Sequence, residues 1–413
     1  MTERTARRIA LTLLRRIHVG RLTVVEGERR TVIGEGAPQA TIVVRSPRTW
    51  REVLRGGLGL GESYADGLWD TPDLTAVIEL AARNMGGIDE LRRRLSPIRE
   101  PYQRGRQLLT RNTPERAREG IHAHYDLGND LFSAILDPSM TYSCAVFERR
   151  DQSLQEAQEA KLERMCRKLD IGEGDRVLEI GTGWGSFAVH AARTRGCHVT
   201  TTTLSDEQHA LAVGRVADAG LSDRVTVLHR DYRELEGTFD KLVSIEMIEA
   251  VGWKDFGTFF DVCARRLEAN GAMGLQAITV DDRLYDVEKA SRTFIRKHIF
   301  PDGCLPSIEV IARAVARHSD LRMVALEDIT AHYPETLRRW RENLDVNRDE
   351  LARRGYDERF QRIWRMYLCW CEAGFAARRI SDVQIVLGKP AWHGAVPVAD
   401  HAAGTALHGE AAG

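Results

Sequence analysis

Residues 176–185, RVLEIGTGWG, constrain the fold more than any other stretch of the chain. Val177, Leu178 and Ile180 form the short apolar run that is typical of a parallel strand covered on both faces. A glycine-rich turn follows this run, and residues 186–195 continue with helical spacing. The stretch therefore predicts the first strand, turn and helix of a nucleotide-type βαβ unit.

The spacing of the turn indicates the kind of ligand. Gly181, Gly183 and Gly185 allow a sharp bend and a close approach of the backbone to a ligand. A dinucleotide site uses G-x-G-x-x-G to seat a pyrophosphate, whereas this turn reads E-x-G-x-G-x-G and begins with Glu179. A carboxylate suits the ammonium group of S-adenosylmethionine and would repel a phosphate. The pattern therefore favours a methyltransferase over another α/β protein with an ordinary glycine turn.

The following region alternates strands with helices. Further strands are predicted at residues 198–203, 225–228, 241–246, 274–280 and 383–387, with helices at residues 206–219 and 256–267. This alternation predicts an α/β fold with a Rossmann-like, doubly wound parallel sheet, and ligands bind such sheets at the carboxyl ends of the strands. Residues 283–300 are predicted to form a helical insertion on that side and are a candidate lid.

Length and composition divide the chain into four parts. At 413 residues the chain is long enough for more than one domain. We predict a small α+β domain with short antiparallel strands at residues 1–95, an arginine-rich linker at 96–120, the catalytic domain at 121–390 and a disordered tail at 391–413. The formal net charge of −1 identifies no partner, so electrostatic arguments have to be local.

The N-terminal stretch is basic and amphipathic. Ile9, Leu13 and Ile17 recur every four residues among arginines, which predicts a helix that either packs on its own domain or docks on a membrane surface. The stretch lacks a secretion signal, and no run of about 18 apolar residues predicts a membrane span. Seven scattered cysteines without a C-x-x-C pair fit reduced thiols in a cytoplasm.

The linker region carries a strong positive field. Residues 91–120 contain nine arginines and three glutamates. The region could be a solvated connector, a contact for anionic lipid headgroups or a nucleic-acid contact. We favour a connector that also touches a membrane surface, because no set of aromatic residues for base stacking is interleaved with the arginines. Nucleic acid is therefore not an expected partner.

Several further blocks occur in order along the chain, namely YDLGNDLF, TYSC, EIGTGWG, LSDEQ, RDYREL, IFPDGCLPS and AGFAARRI. With these blocks the sequence resembles the cyclopropane fatty acid synthase family, whose members use S-adenosylmethionine to modify lipid double bonds. The resemblance covers nearly the whole chain, and a series of ordered blocks is more specific than one glycine motif. It implies unsaturated acyl chains of phospholipids as substrates and a homodimer as the assembly.

Matched residue by residue, the resemblance implies two sets of site residues. The set expected to contact S-adenosylmethionine consists of Tyr142, Ser143, Glu179, Gly181, Gly183, Gly185, Thr203, Leu204, Gln208, Asp231 and Tyr232. The catalytic set, expected to hold a bicarbonate ion, consists of Cys144, Glu249, the backbone near Ile278, Tyr367 and the strand position of Gln276. Taken singly, each of these could be an ordinary buried thiol, carboxylate or core aromatic residue. No metal is implied, because no histidine or cysteine cluster has ligand spacing.

The chemistry explains why such a site is needed. An alkene is a weak nucleophile, so the reaction depends on an electrophilic methyl group, close alignment and exclusion of water. Methyl transfer leaves a carbocation that aromatic faces can stabilise. A base must then remove a proton, either from the new methyl group to close a cyclopropane ring or from elsewhere after a hydride shift. Bicarbonate is expected to supply this base.

Two positions depart from the resembled pattern. Many family members have a histidine where the segment GLQAIT has Gln276, and many have one where Ala250 follows Glu249. Glutamine can donate a hydrogen bond but cannot be a cation. The QAIT segment is similar to the branch that makes 10-methylene fatty acids, which a separate reductase converts to 10-methyl chains. The expected product is therefore a cyclopropane or a 10-methylene acyl chain.

Together these observations predict a cytoplasmic enzyme, bound peripherally to the inner face of the membrane, that methylates a cis double bond of a phospholipid acyl chain. Three alternatives remain open. They are a methyltransferase for a small polar acceptor with Glu249 as general base, a nucleic-acid-binding protein that uses the arginine segment, and a non-catalytic lipid-binding scaffold.

Overall fold

The computed structural model describes residues 1–86, 89, 128–291, 293–301 and 303–395. Contacts divide these residues into two units. The first unit contains residues 1–86, 89, 283–291, 293–301 and 337–380, and the second contains residues 128–282, 303–336 and 381–395. The domain boundaries read from the sequence stay predictions, because the linker and most of the tail lie outside the described residues.

The elements of the described residues are as follows. The strands are β1 (Gly20–Glu26), β2 (Arg29–Glu35), β3 (Gln39–Val44), β4 (Trp69–Asp70), β5 (Arg176–Ile180), β6 (His198–Thr203), β7 (Val225–His229), β8 (Phe239–Ile245), β9 (Leu267–Val280), β10 (Arg322–Asp328) and β11 (Ile380–Gly388). The helices are α1 (Glu3–Leu14), α2 (Thr49–Val53), α3 (Gly57–Ala65), α4 (Leu74–Arg83), α5 (Asn129–Ile135), α6 (Leu154–Lys168), α7 (Ser186–Arg195), α8 (Asp206–Asp218), α9 (Ile248–Val251), α10 (Phe256–Arg266), α11 (Tyr285–Lys289), α12 (Phe294–His298), α13 (Ile308–His318), α14 (Tyr333–Val346), α15 (Arg348–Arg353) and α16 (Glu358–Ala376).

A small sheet with the strand order β2-β1-β3-β4 lies in the first unit. Leu22 and Val24 of β1 are buried, which accounts for the alternation of apolar and polar residues in this part of the sequence. The prediction of antiparallel strands is wrong for one pair, since β1 and β3 run parallel. The chain reverses after β2 and then pairs with the other edge of β1, which makes β3 parallel to it.

Helix α1 buries a different face from the one that its large apolar residues suggest. Ala6 and Ala10 are buried, whereas Ile9 and Leu13 are 41% and 49% exposed. Arg7 forms an ion pair of 2.5 Å with Glu26 of β1 and fixes the helix against the sheet. Small alanine side chains permit close packing, so Ile9 and Leu13 are left on the open side of the helix.

Close packing explains a glycine in helix α3. Gly61 lies against the ring of Phe294 in α12, and a Cβ atom at this position would collide with that ring. Glu62 of α3 forms ion pairs with Lys297 and His298 of the same helix α12. The insertion predicted at residues 283–300 is therefore packed on α3, within the unit that contains the N-terminal residues.

The second unit is built on a seven-stranded sheet with the order β10-β11-β9-β8-β5-β6-β7. The pairs from β9 to β7 are parallel, and β10 is antiparallel to β11. Val177 and Val243 lie in its buried core with Phe187 of α7. This confirms the predicted Rossmann-like sheet, in which the carboxyl ends of β5, β6 and β8 meet at one edge. Among the described residues, no helix is long and apolar enough to cross a membrane.

Candidate active site

The glycine turn after β5 has the backbone geometry of a close ligand contact. Gly181, Gly183 and Gly185 have φ angles of 103°, 51° and 86°, a region in which other residues are strained. Gly185 is also the N-cap of α7, so the turn leads into the first free N–H groups of that helix. A Cβ atom on Gly181 would lie 3.0 Å from the Met247 side chain. The turn therefore fits the part of S-adenosylmethionine that a glycine motif of this type holds.

Glu179 is more deeply placed than the sequence indicates. Its carboxylate is buried and accepts a hydrogen bond of 2.6 Å from the hydroxyl of Thr201 on β6. Burial raises the pKa of Glu179 to about 8, although the Thr201 hydrogen bond acts in the opposite direction. The hydrogen-bond partner of Glu179 in the structure is thus Thr201 on the neighbouring strand. Direct contact between Glu179 and the ammonium group of the cofactor stays a prediction.

The structure brings together the cofactor residues predicted at the end of β6. The hydroxyl of Thr203 donates a hydrogen bond of 2.8 Å to the side-chain oxygen of Gln208 in α8. Ser205 caps that helix, because its hydroxyl accepts a hydrogen bond from the Gln208 N–H. Leu204 lies between them and is buried. These residues lie at the carboxyl edge of the sheet, as a cofactor contact requires.

The predicted pair Asp231 and Tyr232 lies just after β7. Asp231 is buried, and its carboxylate accepts hydrogen bonds from the backbone and guanidinium of Arg233, with an ion pair of 2.7 Å. The ring of Tyr232 packs against Phe259, and burial raises the pKa of its hydroxyl. Arg233 thereby fixes the Asp231 carboxylate at the sheet edge.

Helix α6 holds the segment that contains Tyr142, Ser143 and Cys144. Gln158 donates hydrogen bonds to the carbonyls of Thr141 and Ser143, at 3.3 and 2.8 Å. One turn further along, Lys161 donates a hydrogen bond of 2.7 Å to the Ser143 hydroxyl. Lys161 is 0% exposed, and burial lowers its pKa to about 8. A buried lysine thus carries positive charge directly behind the predicted cofactor segment.

Glu246, at the end of β8, is the centre of a set of hydrogen bonds. Its Oε1 accepts one from the N–H of Cys144 at 2.7 Å and one from the Gln276 amide at 2.8 Å. Its Oε2 accepts one from the Tyr333 hydroxyl at 2.5 Å. Burial raises the pKa of Glu246, while these donors and the charge of Lys161 act to lower it. Glu246 also has a φ angle of 48°, which is unusual for a residue with a side chain.

Gln276 joins this carboxylate to a second one. Its amide nitrogen lies 3.0 Å from Asp382 Oδ2, and its oxygen accepts a hydrogen bond from Gln384. Asp382 is fully buried, and burial together with the nearby negative charge of Glu246 raises its pKa well above the ordinary value. The three hydrogen-bond donors on Glu246 favour the negative charge of the pair on Glu246 rather than on Asp382.

Glu249 and Ile278, each expected from the resemblance to hold bicarbonate, contact each other directly. The N–H of Ile278 donates a hydrogen bond of 2.6 Å to Glu249 Oε1. Glu249 Oε2 is buried and has no hydrogen-bond partner among the described residues. Burial, and to a smaller extent the charge of Glu246, raise the pKa of Glu249 to about 8. Near neutral pH this carboxyl group is thus mainly uncharged.

Cys144 contributes its backbone to this cluster. Its thiol lies 3.3 Å from the carbonyl oxygen of Ala145, and the side chain is fully buried. Burial raises the pKa of the thiol well above its ordinary value, so Cys144 is not a nucleophilic thiolate. The N–H of the same residue is the group that binds Glu246.

The two tyrosines of interest lie in different units. Tyr367, predicted from the resemblance, lies on α16 in the first unit and contacts the rings of Phe300 and Trp364. Its role stays a prediction. Tyr333 lies in the second unit and reaches Glu246, although no feature of the sequence drew attention to it.

Sequence reasoning also missed Glu246, Asp382 and Lys161 as members of the site. A signal existed for two of them. Asp382 is a charged residue at the start of the apolar strand β11, and Lys161 lies on α6 three residues after the buried Gln158. Such isolated polar residues in buried stretches indicate a paired or functional group.

The sheet order, the glycine turn and the residues at the strand ends define a methyltransferase that uses S-adenosylmethionine. Residues 112–385 match the family described as mycolic acid cyclopropane synthetase. The chain belongs to this family, whose members methylate double bonds of lipids. The residues around Gly181–Gly185, Thr203 and Asp231 would hold S-adenosylmethionine, which supplies an electrophilic methyl group when bound.

Individual relatives agree with this assignment. The tuberculostearic acid methyltransferase UfaA1 of Mycobacterium tuberculosis is 40% identical over 371 residues, which cover 86% of this chain and 85% of the relative. The cyclopropane-fatty-acyl-phospholipid synthase of Escherichia coli is 38% identical over 355 residues, covering 86% of this chain and 89% of the relative. The solved cyclopropane synthase CmaA1, complexed with SAH and CTAB, has a TM-score of 0.62 at 30% identity and covers 66% of this chain and 98% of its own.

Proposed function

We propose that the enzyme methylates a cis double bond in the acyl chain of a membrane phospholipid and forms an exomethylene branch rather than a cyclopropane ring. The observation that carries the proposal is the set of buried carboxyl groups around Gln276. An ionised carboxylate within this set can take up the proton that the carbocation has to lose, at a buried place. The QAIT segment and the similarity to UfaA1 support the exomethylene branch.

Other residues of the second unit position the cofactor and align the base. Lys161 and Gln158 hold the segment of Tyr142 and Ser143 and so fix one wall of the cofactor site. A base has to be aligned within about 3 Å of the proton that it removes, and rigid hydrogen bonds around the carboxyl groups provide that alignment. A separate reductase is the expected partner for an exomethylene product, and a homodimer is the expected assembly.

We place the membrane contact on α1. Ile9 and Leu13 project as exposed apolar side chains, and Arg8 and Arg16 beside them are exposed as well. An apolar pair framed by arginines fits the boundary between the anionic headgroups and the acyl chains of a bilayer. This surface gives a peripheral enzyme access to phospholipids.

The test is to incubate the purified protein with S-adenosylmethionine and vesicles of oleoyl phospholipid and to analyse the fatty acids by mass spectrometry. We expect a gain of one CH2 unit. Ozonolysis then distinguishes the products, because an exomethylene group is cleaved to a mid-chain ketone and a cyclopropane ring survives. A methylated product that ozone does not cleave would favour the cyclopropane ring. Absence of a mass gain would contradict lipid methylation and favour a small polar acceptor.

A further inference from the structure

Glu246 occupies a cradle that is built for an anion. Three donors from separate parts of the chain converge on its carboxylate, namely the N–H of Cys144, the amide of Gln276 and the hydroxyl of Tyr333, all between 2.5 and 2.8 Å. Charge-assisted hydrogen bonds of this length are strong. A planar anion of three atoms, such as the CO2 group of a carboxylate or of bicarbonate, satisfies these donors.

The residues expected to hold bicarbonate already have protein partners. The N–H of Ile278 donates to Glu249, and the amide of Gln276 donates to Glu246 and Asp382. Glu246, Glu249 and Asp382 bring three carboxyl groups to the site, and Lys161 is the buried cation whose charge acts on Glu246 and Asp382. A bound bicarbonate would need hydrogen-bond donors, and the donors of Ile278 and Gln276 are already used by carboxyl groups of the protein. The described residues therefore do not fit this ion.

The backbone of Glu246 is strained in the conformation that places its carboxylate among these donors. Its φ angle of 48° costs a residue with a side chain about 1 kcal/mol or more. The N–H of Glu246 donates a hydrogen bond of 2.8 Å to the carbonyl of Gln276, which holds the residue at the edge of β9. Strain of this kind persists where the surrounding structure requires it, and it is concentrated at functional sites.

We infer that Glu246 is a built-in replacement for bicarbonate: its carboxylate fills the anion cradle of Cys144, Gln276 and Tyr333 and serves as the proton acceptor of the reaction. This inference rests on the proposed function. After methyl transfer, a hydride moves from the methylated carbon to the neighbouring cationic carbon, so the positive charge comes to lie on the methyl-bearing carbon. A C–H bond of the new methyl group then breaks, and its electron pair forms the exomethylene C=C bond. The proton goes to Glu246, which becomes a neutral carboxylic acid and later releases the proton to solvent.

The test uses wild-type enzyme and the variant Glu246→Gly. Glycine accepts the positive φ angle without strain, so the variant is expected to fold and to leave a cavity lined by the three donors. We expect the wild type to be equally active with and without added bicarbonate in buffer freed of CO2. We expect Glu246→Gly to lose roughly 10²-fold in kcat, the range of a general base, and to regain activity with bicarbonate or formate.

Two controls separate this inference from other causes. Glu236→Gln changes an exposed glutamate of the same unit and is expected to leave kcat unchanged. Binding of S-adenosylmethionine, measured by calorimetry, should be retained in Glu246→Gly. Titration of bicarbonate into each protein, followed by calorimetry, needs no lipid. We expect bicarbonate to bind to Glu246→Gly and not to the wild type.

Several outcomes would overturn the inference. One is a wild type that binds bicarbonate or requires it for activity, and another is a Glu246→Gly variant that is fully active without any added anion. A folded variant that neither binds bicarbonate nor regains activity would also contradict it. If the wild type binds no bicarbonate and produces no methylated lipid in any buffer, the proposed function fails while the statement about the anion cradle stands.

Discussion

The amide nitrogen of Gln276 lies 2.8 Å from Glu246 Oε1, and the same nitrogen lies 3.0 Å from Asp382 Oδ2. One uncharged side chain thus bridges two buried carboxyl groups. Replacing it with methionine, of similar size, would leave both groups without this donor. We expect Gln276→Met to lower the free energy of unfolding by about 2–4 kcal/mol, because loss of a partner leaves buried polar groups unsatisfied.

Urea denaturation measures this change. Gln155→Met provides the control, since Gln155 is exposed on α6, and there we expect a change within about 0.5 kcal/mol. Equal stability of Gln276→Met and the wild type would contradict the bridging role.

The raised pKa of Glu249 predicts how the stability of the protein changes with pH. Its pKa is raised by burial from 4.5 to about 8 in the folded protein. The stability that this group contributes is fully present below pH 4.5 and is lost as the pH rises through about 8, because the folded state retains the proton longer than the unfolded chain. Glu249→Gln cannot ionise, so we expect its Tm, relative to wild type, to rise progressively between those pH values. A constant difference across a series of thermal melts would be inconsistent with a raised pKa.

The two candidate tyrosines can be separated by activity. Tyr333→Phe removes the hydroxyl that donates to Glu246 Oε2, and we expect kcat to fall by at least roughly tenfold with unchanged affinity for S-adenosylmethionine. Tyr367→Phe is the matched comparison, and its effect on kcat is expected to be smaller. A larger loss of kcat in Tyr367→Phe than in Tyr333→Phe would assign the catalytic tyrosine to position 367, as the sequence resemblance implies.

The glycine turn gives a matched pair of variants. Gly181→Ala places a Cβ atom 3.0 Å from Met247 and also strains a φ angle of 103°, whereas Gly183 has no atom within 4 Å of that position and a φ angle of 51°. We expect Gly181→Ala to lower both Tm and affinity for S-adenosylmethionine. Gly183→Ala should cost only about 1 kcal/mol of stability, as for an ordinary residue in the left-handed region. Calorimetry and thermal melts measure both quantities, and equal stability of the variants would refute the difference.

The exposed face of α1 predicts how the protein binds vesicles. The double variant Ile9→Glu with Leu13→Glu is expected to weaken binding to anionic vesicles on the order of tenfold or more, because two apolar side chains no longer enter the bilayer. Val346→Glu replaces another exposed apolar residue and is the control. Co-sedimentation of protein with vesicles measures the change, and equal binding of both variants would place the membrane contact elsewhere.

Much of the fold could be predicted because its signals are local. The apolar run of β5, the glycines at 181, 183 and 185, and the strand-helix alternation after them are contiguous in the sequence, so they predicted the sheet and the turn. The face that α1 buries could not be predicted. Ile9 and Leu13 repeat with helical spacing, yet the small side chains of Ala6 and Ala10 are the ones that are buried.

The sequence alone determined the class of enzyme, the parallel sheet and the glycine turn, since ordered motifs and strand ends carry this information. Only the tertiary structure decided that Tyr333, Gln276 and Cys144 all bind Glu246. These residues are far apart in the chain, and hydrogen bonds between them depend on the orientation of each side chain. Periodicity and composition do not contain that information, whereas the folded sheet brings these donors to one carboxylate.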